Sequence, residues 1–424
     1  MLSNWKPSRI YYGWWIVGAS VLVAMYAGGV VFYGFTAIFE PIANDMGWSY
    51  AQISLAASLR GLELGLLAPL TGILTDRLGP RRLIFSGALI TSVGLFLLSR
   101  TTSLAMFYGA FALIAVGMSA TTLTVLMTAV ANWFRLRVSI ASGIANSGFG
   151  LAGLLVPVIV KLLEIYDWRM TMAILAAGML IVVTSLSLIF RHRPEQYGYQ
   201  LNGLKEAPAP STARITTRPP TELKIGLVQA LKSIAFWRIA ATYMVHVTII
   251  SSIITHIMPY LSSIGIARTR AGLVAMAIPL MSIGGRLGFG WLADKRDRRR
   301  VIAGTFGMVT LGLLCLAYAP NAGFWLLIPF LFLFGTGYGG STTVRPSIVS
   351  EYFGRSNFGS IFGFIVGINA LGGIAGPWVA GWVYDTWGSY QGIWLTYTGL
   401  AVVAMLLIFN ISRVKMTRES ESGV

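Results

Sequence analysis

Residues 72–82 read GILTDRLGPRR and residues 290–300 read GWLADKRDRRR, each directly after a run apolar enough to cross a bilayer. In both, a glycine stands one helical turn before an aspartate (Asp76, Asp294), and a basic cluster follows: Arg77, Arg81 and Arg82 in the first copy, Lys295, Arg296 and Arg298 to Arg300 in the second. A carboxylate at a helix end beside fixed cations can pair across to a neighbouring helix end, while a tight turn through Gly79 and Pro80 brings the next span back alongside. Such a loop can hold one conformation and release in another. Positive charge that merely sets topology would explain the arginines but not the aspartates. The expected latch is therefore Asp76, Arg77 and Arg81 in the first copy, with Asp294 and Arg298 in the second.

The duplication extends outward. Apolar segments of roughly 20 residues begin near Gly13, Ala51, Leu83, Ala105, Val138 and Thr171, and again near Trp237, Ala271, Val301, Phe324, Gly359 and Gln391. Pro41 and Gly47 are answered by Pro259 and Gly265, and Tyr166-Asp167-Trp168 by Tyr384-Asp385 with Trp387. The pattern predicts an all-α polytopic membrane protein with twelve transmembrane helices in two six-helix bundles. Residues 1–190 form the first, residues 237–424 the second with a short tail, and residues 191–236 a polar linker. The linker carries Pro208, Pro210, Pro219 and Pro220, with short surface helices expected around Leu223 to Ile234. Parallel repeats of this kind place a binding site at their interface near the membrane midplane.

Composition excludes several other classes. A chain that is 55% apolar and 11% charged, with 48 glycines, is not a soluble fold. The net charge of +17 does not point to nucleic acid, because Lys and Arg fall mainly in alternate loops, the positive-inside distribution. That distribution puts both termini in the cytoplasm of a multi-pass protein of the cell's inner (plasma) membrane. The first span follows Lys6 and Arg9 and is too long, and lacks a small-residue cleavage site, for a signal peptide. The lone Cys315 offers neither a disulfide nor a thiolate metal site. ATP-driven transport needs a nucleotide-binding module, and no G-x-x-x-x-G-K-[ST] occurs. An enzyme would need a clustered acid, base or metal constellation, which the chain lacks, so neither cofactor nor metal is expected. The short termini argue against a transporter-like sensor.

The first loop resembles the signature of the major facilitator superfamily, G-x-x-x-D-R-x-G-x-R-R, and the repeat extends the resemblance along the chain. The second copy departs from it at Lys295 and Asp297. Trp133-Phe134-Arg135 with Arg137, Ala141, Gly143, Ala145 and Gly148 resembles the span-5 signature of the monocarboxylate transporter family, with Leu136 and Val138 where two of its basic residues would stand. Gly13-Trp14-Trp15 resembles that family's start of span 1. Gly376-Pro377-Trp378-Val379-Ala380-Gly381, followed by Asp385 and Gly388-Ser389-Tyr390, resembles its end of span 11.

Within this frame one residue stands out. Arg286 lies inside the apolar run Ala271 to Asp294. An arginine near the centre of a span costs about 2.5–3.5 kcal/mol, so it persists where it faces a wet cavity, a partner or a ligand. The family resemblance implies that this arginine pairs with the substrate carboxylate. Where the family carries an aspartate one turn earlier and a lysine on span 1, this chain has Ser282 and Tyr33. Other candidates for contact with cargo are Tyr26, Tyr33, Thr121, Thr124, His256, Tyr338 and Asn369. Glu63, His256 and His246 are candidates for carrying a proton, with Glu63 also three residues from Arg60 on one helical face. His256 is expected to face the outward cavity, and Arg345 to sit at the cytoplasmic end of span 10, pairing with Glu351 or lipid phosphate. With Arg286 as the one clear midmembrane cation lacking a nearby acid, a single negative charge per substrate fits. The expected function is movement of a small lactate- or pyruvate-like monocarboxylate with a proton, by alternating access, through a monomeric unit contacting only membrane lipid besides. An organic anion exchanger of the oxalate/formate type is the rival.

Overall fold

The computed structural model describes residues 11–62, 67, 71, 74–75, 78–121, 123–134, 138–192, 226–354 and 358–411, the side chains of residues 60–62, 123–124, 131, 138–140 and 358–360 excepted. Among them every regular element is helical. The first set comprises α1 (Tyr12–Met46), α2 (Tyr50–Leu62), α3 (Pro80–Ser99), α4 (Leu104–Ser119), α5 (Leu123–Trp133), α6 (Ala141–Ile165) and α7 (Trp168–Ser187). A short helix, α8 (Leu227–Leu231), lies in the linker interval. The second set comprises α9 (Ile234–Ser263), α10 (Arg268–Lys295), α11 (Arg298–Ala322), α12 (Leu327–Phe353), α13 (Phe358–Trp387) and α14 (Gln391–Phe409). Each span begins within a turn of the position marked by the apolar runs. Ten of these helical stretches are long and apolar enough to cross a membrane.

Local chemistry sets the ends. Ser103, Asp167 and Ser233 each cap a helix by accepting a backbone N–H from three residues on. The paired glycines Gly47 and Gly265 close α1 and α9 at φ of 64° and 84°, a left-handed conformation that side chains rarely adopt. Their equivalence shows that the duplication read in sequence is also a duplication of backbone shape.

Within the first set α1 packs on α6, and α3 on α4 and α7; within the second, α10 packs on α12, α9 on α13, and α11 on α12 and α14. Contacts between the sets run through α2 and α13, α1 and α9, and α6 and α10. Bundles in lipid gain little from apolar burial alone and rely on close packing, which small residues permit. The tightest approach is between α10 and α12. A Cβ at Gly339 would press on the Ser282 backbone, and one at Gly285 on the Thr336 backbone. That approach matters because Gly285 immediately precedes Arg286. Replacing Gly339 with valine should force α10 and α12 apart at a cost of about 1–3 kcal/mol. A lowered melting temperature of the purified protein in detergent, with loss of substrate binding, is the expected outcome; an unchanged melting curve would contradict the packing assigned to this pair.

Candidate functional site

A cavity of about 250 Å³ lies between the two sets, lined by residues of α1, α2, α6, α9, α12 and α13. Tyr33 and Tyr338 face each other across it with hydroxyls 3.2 Å apart, one from each set. Tyr33 stands at the end of a π-helical turn, Gly28–Tyr33, inside α1, where Gly34 N–H reaches back to Gly29 O at 2.7 Å. Such turns redirect the side chains that follow.

Arg286 sits against this pair, its guanidinium 5.9 Å from the centre of the Tyr338 ring. Its Nη1 donates to Asn146 Oδ1 at 3.0 Å and to Asn146 O at 3.3 Å, while its Nε is buried without a hydrogen-bond partner. No carboxylate pairs with it among the described residues. A guanidinium offers five donors, and two neutral oxygens leave much of that capacity unused.

The structure corrects the expectation for Arg345. Glu351 is taken by Arg298 at 2.9 Å, and Arg345 instead lines the cavity. Its guanidinium lies 5.6 Å from the centre of the Tyr243 ring and 5.4 Å from that of Phe362, with Nε buried and unpartnered. Arg345 lies within α12, which continues through Pro346 to Phe353. Arg286 is therefore accompanied by a second guanidinium, Arg345, on the cavity wall.

Of the two histidines, His246 and not His256 lines the cavity. His256 is fully buried, outside the cavity wall. Its Nε2 lies 2.9 Å from Pro377 O and 3.0 Å from Ser54 Oγ, and its Nδ1 2.9 Å from Tyr390 Oη. A carbonyl can only accept, so Nε2 carries the proton and Nδ1 accepts from Tyr390. Both ring nitrogens are thus engaged in joining α2 to α9, α13 and α14. His246 is the histidine on the cavity, with Nδ1 unpartnered.

The remaining expected residues divide. Tyr26 donates to Leu175 O on α7 at 3.1 Å, and Thr121 to Met118 O at 3.1 Å, so both serve packing within the first set. Asn369 is buried, and neither its amide nitrogen nor its oxygen has a partner. The Thr124 side chain, the Arg60 side chain, Glu63, Asp76 and Arg77 lie outside the described residues. Of the remaining latch residues, Arg81 and Asp294 are exposed, and Arg298 holds Glu351 rather than Asp294. Asp297 caps α11 and pairs with Arg299 at 2.7 Å. The Arg299 hydrogen bond holds its carboxyl below the ordinary range.

Sequence reasoning missed the closure on the face opposite the chain termini. Asp385 accepts from the backbone N–H groups of Tyr50 at 2.9 Å and Ala51 at 2.7 Å, putting a carboxylate on the N-terminus of α2. Tyr50 stacks on Tyr384, Tyr384 on Tyr390 and Tyr390 on Trp394, a ladder that starts in the first set and runs into the second. Glu40 accepts from Ser262 at 2.9 Å, Thr36 accepts from Met258 N–H at 3.1 Å, and Arg268 donates to Ala37 O. The signal available in sequence was Asp385 itself, an acid at the end of a span that contains neither Lys nor Arg.

Two helical sets with a small, mostly apolar cavity between them that carries hydroxyls, a histidine and one guanidinium, shut toward one face, are the architecture of a polytopic membrane transporter. The chain belongs to the Major Facilitator Superfamily, whose sequence profile matches residues 16–322 and 247–423. It is similar to Monocarboxylate transporter 12-B of Danio rerio, 25% identical with 96% of this chain and 89% of that protein covered. It is also similar to Monocarboxylate transporter 13 of Bos taurus, at 26% with 91% and 86% covered. The uncharacterized MFS-type transporter YhjX of Escherichia coli (strain K12) is 25% identical over 86% and 85% of the two chains. Among solved structures, a bacterial homolog to the human lysosomal transporter Spinster, inward-facing and unoccupied, aligns with a TM-score of 0.71 at 14% identity, over 97% of this chain and 98% of that one. The nucleoside transporter NupG aligns with a TM-score of 0.71 at 16% identity, over 93% and 99%. These structural likenesses carry the fold and no substrate.

Replacing Asp385 with asparagine removes the charge from the α2 cap and, because an amide nitrogen cannot accept, one of its two hydrogen bonds; the charge alone contributes about 0.3–1 kcal/mol, up to ~2 when partly buried. In a Cys315→Ser, Ser251→Cys background, a membrane-impermeant maleimide applied to the closed face should then label the cavity cysteine about threefold faster. Equal labelling rates with and without the carboxylate would remove Asp385 from the closure.

Proposed function

We propose that this protein is a secondary transporter of small carboxylate anions, working by alternating access, with Arg286 as the anchor for the carboxylate. The observation that carries the reading is a guanidinium held beside a midmembrane cavity with a buried, unpartnered Nε and no protein acid to neutralise it among the described residues. A charge taken out of water without a counterion is costly, and an anionic cargo relieves that cost. A carboxylate pairs with a guanidinium in a bidentate, charge-assisted geometry that the neutral Asn146 oxygens cannot match. The cavity volume suits a small acid. The similarity to monocarboxylate transporters supports lactate- or pyruvate-like acids as cargo. In this reading the cavity belongs to one chain, which acts as a monomer, with both termini in the cytoplasm of the inner membrane.

His246 is the group we assign to proton coupling, since it is the histidine on the cavity wall and its Nδ1 is free to accept. A proton taken there adds positive charge near arriving cargo and leaves with it.

Arg286→Ala and Arg286→Lys should abolish counterflow of labelled lactate in proteoliposomes while the protein still elutes as a folded monomer; uptake like wild type in Arg286→Ala would sink the anchor. An inward proton gradient should stimulate uptake severalfold in wild type and leave His246→Gln indifferent. Stimulation retained in the variant would move the proton site elsewhere, and indifference in wild type would make the carrier an exchanger or uniporter.

A further inference from the structure

We infer that the cavity also takes short dicarboxylates, with one carboxylate on Arg286 and the second on Arg345; this rests on the reading of the cavity as a carboxylate site. Arg345 lines the same cavity, and the acid nearest to it along α12, Glu351, is already paired with Arg298. The rings of Tyr243 and Phe362 hold its guanidinium, and such cation–π contacts recover less than a cation loses on leaving water. Arg345 is thus positioned by its surroundings and left undercompensated by them, the same condition as Arg286.

The spacing along α12 gives the ligand its length. Tyr338, Thr342 and Arg345 follow one another at helical intervals and all line the cavity, so they form one strip. Tyr338 to Arg345 is two turns, about 10 Å of rise. Arg286 stands against Tyr338 at one end of the strip, Arg345 marks the other, and the hydroxyls of Tyr33, Tyr338 and Thr342 lie between. A monocarboxylate answers one end. A four- or five-carbon dicarboxylate such as succinate or glutarate answers both, its methylenes beside the apolar walls offered by Phe149 and Ile250. Asn369 adds a neutral group, with donor and acceptor both unpartnered and buried, on the helix that supplies Phe362 and Gly373.

The test is a ligand titration of the full-length protein in nanodiscs, read by thermal stability and tryptophan fluorescence, with succinate and glutarate against butyrate, in which a methyl replaces one carboxylate. Wild type should bind at least one of the two dicarboxylates about tenfold tighter than butyrate, the factor a charge-assisted contact of about 1.4 kcal/mol supplies. Arg345→Gln should erase that preference by weakening the dicarboxylates about tenfold more than it weakens butyrate, Arg345→Lys should keep part of it, and Arg286→Gln should lose every acid. If Arg345→Gln fails to fold, the Lys variant and competition by succinate for labelled butyrate uptake in wild type decide the question. Butyrate binding with no dicarboxylate advantage overturns this inference and leaves the carboxylate reading standing. An Arg345→Gln variant that weakens both kinds of acid equally also overturns it. Failure of wild type to bind any of the acids overturns the carboxylate reading itself.

Discussion

A cation removed from water must find negative charge or dipoles, and this fold keeps one guanidinium, Arg345, on its central cavity and a second, Arg286, beside Tyr338 of the cavity wall, without giving either a carboxylate within 4 Å among the described residues. The surrounding structure compensates only in part. Asn146 offers two neutral oxygens to Arg286, and aromatic rings face Arg286 and Arg345. The close approach of α10 to α12 through Gly285 and Gly339 keeps Arg286 against Tyr338. Filling either glycine would disturb the electrostatics by way of packing. In this respect the stability of the bundle and the chemistry of the cavity are set by the same contacts.

The closure of the face opposite the termini is built on a different principle. Its links are a carboxylate on two backbone N–H groups, a histidine shared among three neighbours, hydroxyl contacts and a stack of rings. Each neutral hydrogen bond of this kind contributes about 0.5–1.5 kcal/mol net. Among the described residues no guanidinium–carboxylate contact within 4 Å joins the two sets, although Arg268 attracts Glu40 and Glu164 across the seam. Many weak links that break together suit a carrier, because the closed state must be specific in geometry yet near balance with its alternative.

Much of the architecture could be read directly. Span positions follow from apolar run length, and the duplicated Gly47 and Gly265 ends from residue type, because both depend on local chemistry. Arg286 was visible for the same reason: charge within an apolar run is conspicuous without any partner. What escaped depends on residues far apart in the chain. Which of His246 and His256 faces the cavity is decided by Ser54, Pro377 and Tyr390 claiming the second one. The expected pairing of Arg345 with Glu351 failed because Arg298, from the start of α11, claims that carboxylate. The position of Arg345 two turns from Tyr338 was the available clue.

The facing hydroxyls of Tyr33 and Tyr338 have no built-in polarity, since either oxygen can be the donor. Whichever hydroxyl gives its hydrogen to the other leaves its partner's hydrogen free to turn outward. Reversing the pair takes two bond rotations and no movement of the backbone. Two phenols therefore form a toggle between the bundles, able to present a donor to one side or to the other.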